Sequence, residues 1–365
     1  MNKSLILSNF FRKIRKADES WIQRKRSITT LDILNISQKS SINRRGIRHI
    51  IFDEDKKISA AAICKAKQKL PPRLFKTLNY ELVNENSSNT QNVFAIDGSK
   101  VHVPPSFKTI YNIKSRTNDK IVPRPAKRPI MMLSSVLNVN TKVCANFSLT
   151  KHFNERKSAK FLVSSVGKEG DVFIFDRGYY SRDLLQHILE ERKHVLFRLK
   201  TNASSDVKRF FHSKKSEQKI LINGQTLRLV KYMIDGLRYV CLTSLLNESK
   251  NEIKTLYSKR WKVEEHFKRL KSHLNIEHIV ARKLDILKQE LEMRVLIDSL
   301  AQLLRYEDAK LDPKQKKTTY LERIDYYIPG LFKTVLNLIS FKMTLPSLNV
   351  LLILSFKKYK TPNNY

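Results

Sequence analysis

DVFIFDRGYYSRDLLQHILEERKHVLFRLK, residues 171 to 200, carries three elements in one short span. VFIF is a brief apolar run and predicts a buried strand. DRGYYS breaks it with a turn. Ser181 is placed to cap a helix over SRDLLQHILEERK, and HVLFRLK returns to strand.

Working outward, the same texture continues. VFAIDGSKVHV predicts a strand, an Asp-Gly-Ser turn or bulge, and more strand. Residues 106 to 129 look irregular, with a basic, Pro-rich end. PIMMLSSVLNV and TKVCANFSLT read as two strands around a turn at Asn138 to Asn140. FNERKSAKFLVSSVG reads as a helix ending at Gly167. The order strand, strand, strand, helix, strand, helix, strand is a mixed α/β pattern that several folds share. Beyond residue 200 come strand-like pieces, QKILI, TLRLVKYMI and LRYVCLTSL, with Asn-Gly and Asp-Gly turns. A long apolar helix follows at about 284 to 305, then a basic, mostly helical tail.

The first 90 residues read as helical, with a Ser59-capped helix in ISAAAICKAKQKL, and hold 19 Lys or Arg against 8 acids. ENSSNTQN, residues 85 to 92, reads as a linker. The whole chain of 365 residues carries 70 basic against 34 acidic side chains, a formal charge of +36. With 41% hydrophobic content, that describes a folded protein with a polyanionic partner, nucleic acid first. A membrane partner is disfavoured: NVLLILSF, the most apolar stretch, is far shorter than the roughly 20 residues a span requires. No signal-peptide h-region is present near the start. Cys64, Cys144 and Cys241 are scattered, so a disulfide framework or zinc site is not indicated. All three are expected in the core, and the compartment is expected to be the reducing cytoplasm.

Two acids close apolar strands: Asp97 after VFAI and Asp176 after VFIF. Each lines a cleft or simply caps a turn. A third, Glu264, lies in LYSKRWKVEEHFKRLK, residues 256 to 271. On a helical wheel Tyr257, Arg260, Glu264 and Lys271 fall at roughly 0°, 300°, 340° and 320°, one stripe about 60° wide. Val263, Phe267, Leu270 and Leu274 form an apolar stripe beside it, while Lys259, Lys262, Glu265, His266, Lys268 and Arg269 mostly face elsewhere. The stripe is an active-site wall or a solvated face with an Arg260–Glu264 pair. Carboxylates clustered on a chain built to bind phosphate repel it unless a cation intervenes, and Mg²⁺ is the hard ion suited to them. Two such ions about 3.5 to 4 Å apart activate a water or 3′-hydroxyl and stabilise the leaving oxygen.

These residues carry a resemblance. DGS at Asp97, DRGYYS at Asp176 and Y-x2-R-x3-E-x6-K at Tyr257, Arg260, Glu264 and Lys271 resemble the bacterial DDE transposases of the insertion-sequence-four group. The resemblance covers roughly residues 91 to 300. It implies a ribonuclease-H-like catalytic core at 91–200 and 254–305, with a β-rich insertion at 201–253. A helical, basic, DNA-binding region precedes the core at 1–90, and a helical tail follows at 306–365. It implies Asp97, Asp176 and Glu264 as catalytic and metal residues for Mg²⁺, with Mn²⁺ as a substitute. Tyr257, Arg260 and Lys271 become DNA contacts, since Arg, Lys and Tyr suit phosphate. Trp261, just outside the stripe, is a candidate for base stacking or for packing. Arg198 points toward DNA or merely alternates out of its strand.

The implied activity is cut-and-paste transposition: binding double-stranded terminal inverted repeats, cutting at the ends, and joining 3′-hydroxyls to target DNA. Synapsis implies a homodimer, and a bacterial, DNA-associated, cytoplasmic location follows. Two alternatives remain from the residues alone, a structure-specific DNA nuclease with the same acids and an inactive, transposase-derived DNA-binding protein.

Overall fold

A computed structural model describes residues 3–22, 28–53, 58–86, 91–110, 112–117, 120–125, 129–234 and 236–311. The chain divides into two compact units. One comprises residues 1–86, 102–129 and 268–365, the other residues 87–101 and 130–267.

The second unit is built on a sheet. Its strands are β1 (Val93–His102), β4 (Ile130–Asn138), β5 (Val143–Thr150), β6 (Val172–Phe175), β7 (His194–Arg198), β8 (Glu217–Ile222), β9 (Gln225–Ile234) and β10 (Leu237–Thr243). They pair in the order β5-β4-β1-β6-β7-β10-β9-β8. β1, β6 and β7 run parallel, and β4–β5 and β7–β10–β9–β8 are antiparallel. The four apolar residues opening β1 and all four of β6 are buried, as strands covered on both faces require. Phe94 stacks on Phe173 and Phe175 on Phe197, with centroids 5.2 and 4.8 Å apart. α6 (Glu155–Ser165) packs on β4 and β5, and α7 (Arg182–Glu190) on β7. Asn154 and Ser181 cap these helices, accepting from the amides of Lys157 and Leu184.

The strands expected at 201–250 extend this same sheet, and Asn223 and Gly224, both at positive φ, make the tight β8–β9 turn. Two departures stand out. β1 runs unbroken through Asp-Gly-Ser instead of turning there. α8 (Ser205–His212), capped by Ser204, stands inside the span expected as a β-rich insertion, ahead of its strand-like pieces; Val207 and Phe210 are buried at helical spacing.

The first unit is mainly helical. α1 (Lys3–Trp21), α2 (Thr30–Ile42), α3 (Ile47–Asp53), α4 (Ala60–Lys67) and α5 (Leu74–Glu85) precede the sheet in sequence. α11 (Leu284–Leu311) packs against α5 and α2. Ser59 caps α4 through the amide of Ala62. Cys64 on α4 is exposed, contrary to the core expectation, whereas Cys144 and Cys241 are buried. Neighbouring Ile63 and Ala66 fill the packed face of that short helix, which turns Cys64 outward. The stretch 106–129, read as irregular, holds an antiparallel hairpin of β2 (Asn112–Thr117) and β3 (Lys120–Pro125). A two-stranded ribbon tolerates the prolines of β3 because its edges are unpaired. The tail from 312 onward lies outside the described residues. No described helix is long and apolar enough to cross a membrane.

Candidate active site

The register of the parallel strands places the two aspartates. Ala95 of β1 pairs with Ile174 of β6, so Asp97 and Asp176 each stand two residues beyond the same rung. Phe175 pairs with Phe197, which brings Arg198 level with Asp176. β6 ends at Phe175, so Asp176 stands at a strand end, whereas Asp97 lies within β1, beyond its last pairing with β6.

The third acid arrives on a helical segment of mixed pitch. α9 (Lys250–Ser258) begins with a capping box between Ser249 and Glu252, then tightens into a 3₁₀ turn at Lys259–Trp261. α10 (Lys262–Lys268) follows, and a π turn closes the segment at Arg269–His273. Val263, Phe267, Leu270 and Leu274 are buried, as the apolar stripe predicts. His266 and Arg269, expected to face away, are buried too. The tightened and widened turns break the uniform 100° step on which the wheel rests. Arg269 pairs with Asp298 in the helical unit at 2.8 and 3.1 Å. Lys271 also belongs to that unit, not to the one holding the three acids.

Within the sheet unit, Arg260 links two of the acids. Its Nη2 donates to Glu264 Oε1 at 2.7 Å, and Nη1 lies 3.7 Å from Asp97 Oδ2. Burial works against its charge, yet Glu264, Tyr257 and Asp176 hold its pKa above the ordinary arginine value. Tyr257, almost fully buried, donates its hydroxyl to Asp176 Oδ1 at 3.2 Å, a partner the wheel did not foresee. Arg198 Nη1 lies 3.7 Å from the same oxygen, its guanidinium 4.2 Å above the Tyr239 ring. Neither reading of Arg198 named Asp176 or Tyr239 as its neighbours. Trp261 is 58% exposed beside Arg260, so it is free of the core.

Burial pushes the Asp97 carboxyl up to about 6. The Gly98 amide, at 2.8 Å, and Arg260 oppose that rise, whereas Glu155 and Glu264 add to it. Glu155 is the acid that sequence reasoning missed. Its own pKa is raised, by burial first, with Lys100 opposing and Asp176 adding. It opens α6, where an acid ordinarily complements the helix dipole, so nothing in its sequence setting flagged a second role.

The carboxylates supply hard oxygen donors, and their mutual repulsion in a half-buried pocket is what a divalent cation would relieve. Among the described residues, no group of three or more His, Cys, Asp or Glu is drawn close enough to hold a metal ion. Arg260 reaches both Asp97 and Glu264 in this arrangement.

The family model for the transposase DDE domain matches residues 88–297. The chain belongs to the DDE transposase family. Both aspartates, Glu264 and Glu155 fall within the matched span. A Synechocystis protein assigned as the transposase of insertion sequence element IS4SA is 22% identical over 310 residues, covering 81% of this chain and 83% of its own. A cryo-EM structure of the piggyBac transposase synaptic complex with hairpin DNA aligns at TM-score 0.49 and 11% identity, over 100% of this chain and 85% of that one.

Proposed function

We propose that this transposase is a cut-and-paste enzyme that binds double-stranded terminal inverted repeats, cleaves at the element's ends and joins the 3′-hydroxyls to target DNA. The observation that carries the site assignment is the shared level of Asp97 and Asp176 on adjacent parallel strands, with Glu264 tied to Asp97 through Arg260. The five-strand order β5-β4-β1-β6-β7 supports a ribonuclease-H-like core, with β8 to β10 as the insertion.

In this reading Asp97, Asp176 and Glu264 would hold the divalent cation, Mg²⁺ with Mn²⁺ as substitute. Bound there, the metal lowers the pKa of a water or hydroxyl nucleophile and stabilises the leaving oxygen. Arg260 and Lys271 are assigned to phosphates at the transposon end, Arg260 as a fork and Lys271 as a point charge. Tyr257 can donate to a phosphate only by releasing Asp176, so it serves that carboxylate at least as much as DNA. Trp261, exposed, is assigned to stacking on an unpaired base. The basic helices of residues 1–90 are the end-binding candidates, and two ends held together call for a homodimer acting in the bacterial cytoplasm.

The test is incubation of the purified protein with a labelled duplex carrying the gene's own flanking end, with Mg²⁺ or with EDTA. Metal-dependent nicking at the end followed by a joined product is expected. Binding without cutting in Mg²⁺, with two ends supplied, would reject the reading.

The Asp97 shift sets the acid limb of the reaction. Its carboxyl is raised, so it takes up a proton as pH falls through about 6. Single-turnover cleavage at limiting Mg²⁺ is expected to decline across that pH and to hold steady above it. A limb centred near the ordinary Asp value of 3.8 would contradict the burial argument.

A further inference from the structure

The turn after β6 carries more than Asp176. The Tyr179 amide donates to the Asp176 carbonyl at 3.1 Å, closing the turn. The Tyr179 ring packs against Phe175, centroids 5.6 Å apart, and the side chain is 2% exposed. Its hydroxyl does not end in the core. It reaches across to β1 and donates to Asp97 Oδ1 at 3.5 Å.

Gly98 makes the approach possible. A Cβ at this position would stand 3.0 Å from Met132 Sδ, 3.4 Å from the Tyr179 hydroxyl and 3.5 Å from Glu155 Cγ. Gly98 is not among the glycines at positive φ, so space is what it supplies here, not backbone freedom.

The contacts divide the oxygens of Asp97. The Gly98 amide and the Tyr179 hydroxyl both end on Oδ1, and Oδ2 faces Arg260. Asp176 is treated alike, with Tyr257 and Arg198 both ending on its Oδ1. A carboxylate gripped by one oxygen presents the other in a fixed direction.

We propose that Tyr179 is a positioning residue for Asp97, its buried hydroxyl fixing the rotation of that carboxylate from the turn that bears Asp176. The inference rests on the assignment of Asp97 to the catalytic site. The phenol's pKa is pushed well above its ordinary value, by burial first and then by Asp97 and Glu155, so it stays a donor throughout the working range.

The experiment pairs Tyr179→Phe with a protein carrying ring-fluorinated tyrosine at position 179. Tyr179→Phe keeps the ring and removes the hydroxyl. Its end-binding affinity and unfolding temperature are expected to match the parent, while single-turnover cleavage in Mg²⁺ falls about tenfold. The fluorine NMR resonance of the labelled, end-bound protein is expected to shift on adding Mg²⁺, and to stay still in an Asp97→Ala background. A Tyr179→Phe protein that cuts at the parent rate overturns the proposal, as does a resonance blind to Mg²⁺ in protein that cuts normally. Should Tyr179→Phe fail to fold, the labelled protein, which retains its hydroxyl, decides alone. Normal cutting by Asp97→Ala would bring down the site assignment and this inference with it. An inert Asp97→Ala beside a fully active Tyr179→Phe removes only this inference.

Discussion

Asp97→Ala and Glu264→Ala are each expected to lose about a thousandfold or more in Mg²⁺-dependent cleavage while binding the transposon end as the parent does. Several kcal/mol of charge stabilisation is what a correctly held metal contributes, and about 4 kcal/mol corresponds to a thousandfold. End binding should survive because the net charge of +36, spread along the chain, changes by only one.

Asp97→Ala carries a second signature. Its carboxyl is raised from 3.8 to about 6, so between those values the folded protein holds a proton that the unfolded chain has lost. The sign follows directly: this group opposes folding in full above about 6, and that penalty fades as pH falls toward 3.8. At neutral pH its removal should therefore leave the unfolding temperature unchanged or higher. A residue retained against stability is what a reaction centre requires. Strong cleavage by either variant in gel-based end-nicking assays would sink the assignment, and a marked fall in the unfolding temperature of Asp97→Ala would recast it as structural.

Much of this was legible in the sequence because local signals and burial agree. VFAI and VFIF are short apolar runs and become the buried parallel strands β1 and β6. Ser59 and Ser181 cap the helices their positions predicted, and Asn154 caps α6, a cap not foreseen. The places where the reading failed share a physical reason. The helix carrying Glu264 was laid on one wheel, but its 3₁₀ and π turns alter the pitch on both sides of α10. Arg269 therefore turns inward to Asp298. Glu155 is near Asp97 only because the order of the sheet sets α6 beside it, a fact no window of sequence contains. Tyr179, two residues from the end of a short turn, carries no local signal of a distant partner. It closes the turn, and its hydroxyl finds a partner 82 positions away.

Glu290→Ala is expected to destabilise the helical unit by about 3–5 kcal/mol. α11 reads as apolar, but it buries Glu290, Arg294 and Asp298. Glu290 pairs with Lys67 of α4 and, at 3.0 Å, with Arg294. Arg294 also donates to Ser41 Oγ and to the Leu274 carbonyl, at 3.0 and 2.9 Å. Burial alone would raise the Glu290 pKa, but Lys67 and Arg294 hold it below the ordinary value. Taking the carboxylate away leaves two cations, 5% and 3% exposed, without the acid they share. The same pairing makes this unit acid-sensitive: a depressed carboxyl stabilises above its unfolded pKa, and that support is lost as pH falls through its folded value. Urea unfolding of the variant checks the magnitude, and a loss below about 1 kcal/mol would show that water reaches the cluster. Replacing Lys67, Glu290 and Arg294 together with apolar residues should restore most of the loss, because no charge is then left unpaired. If end recognition resides in the basic helices that pack with α11, Glu290→Ala should weaken end binding where Asp97→Ala does not. The two variants would then separate holding DNA from cutting it, each in its own unit of the chain.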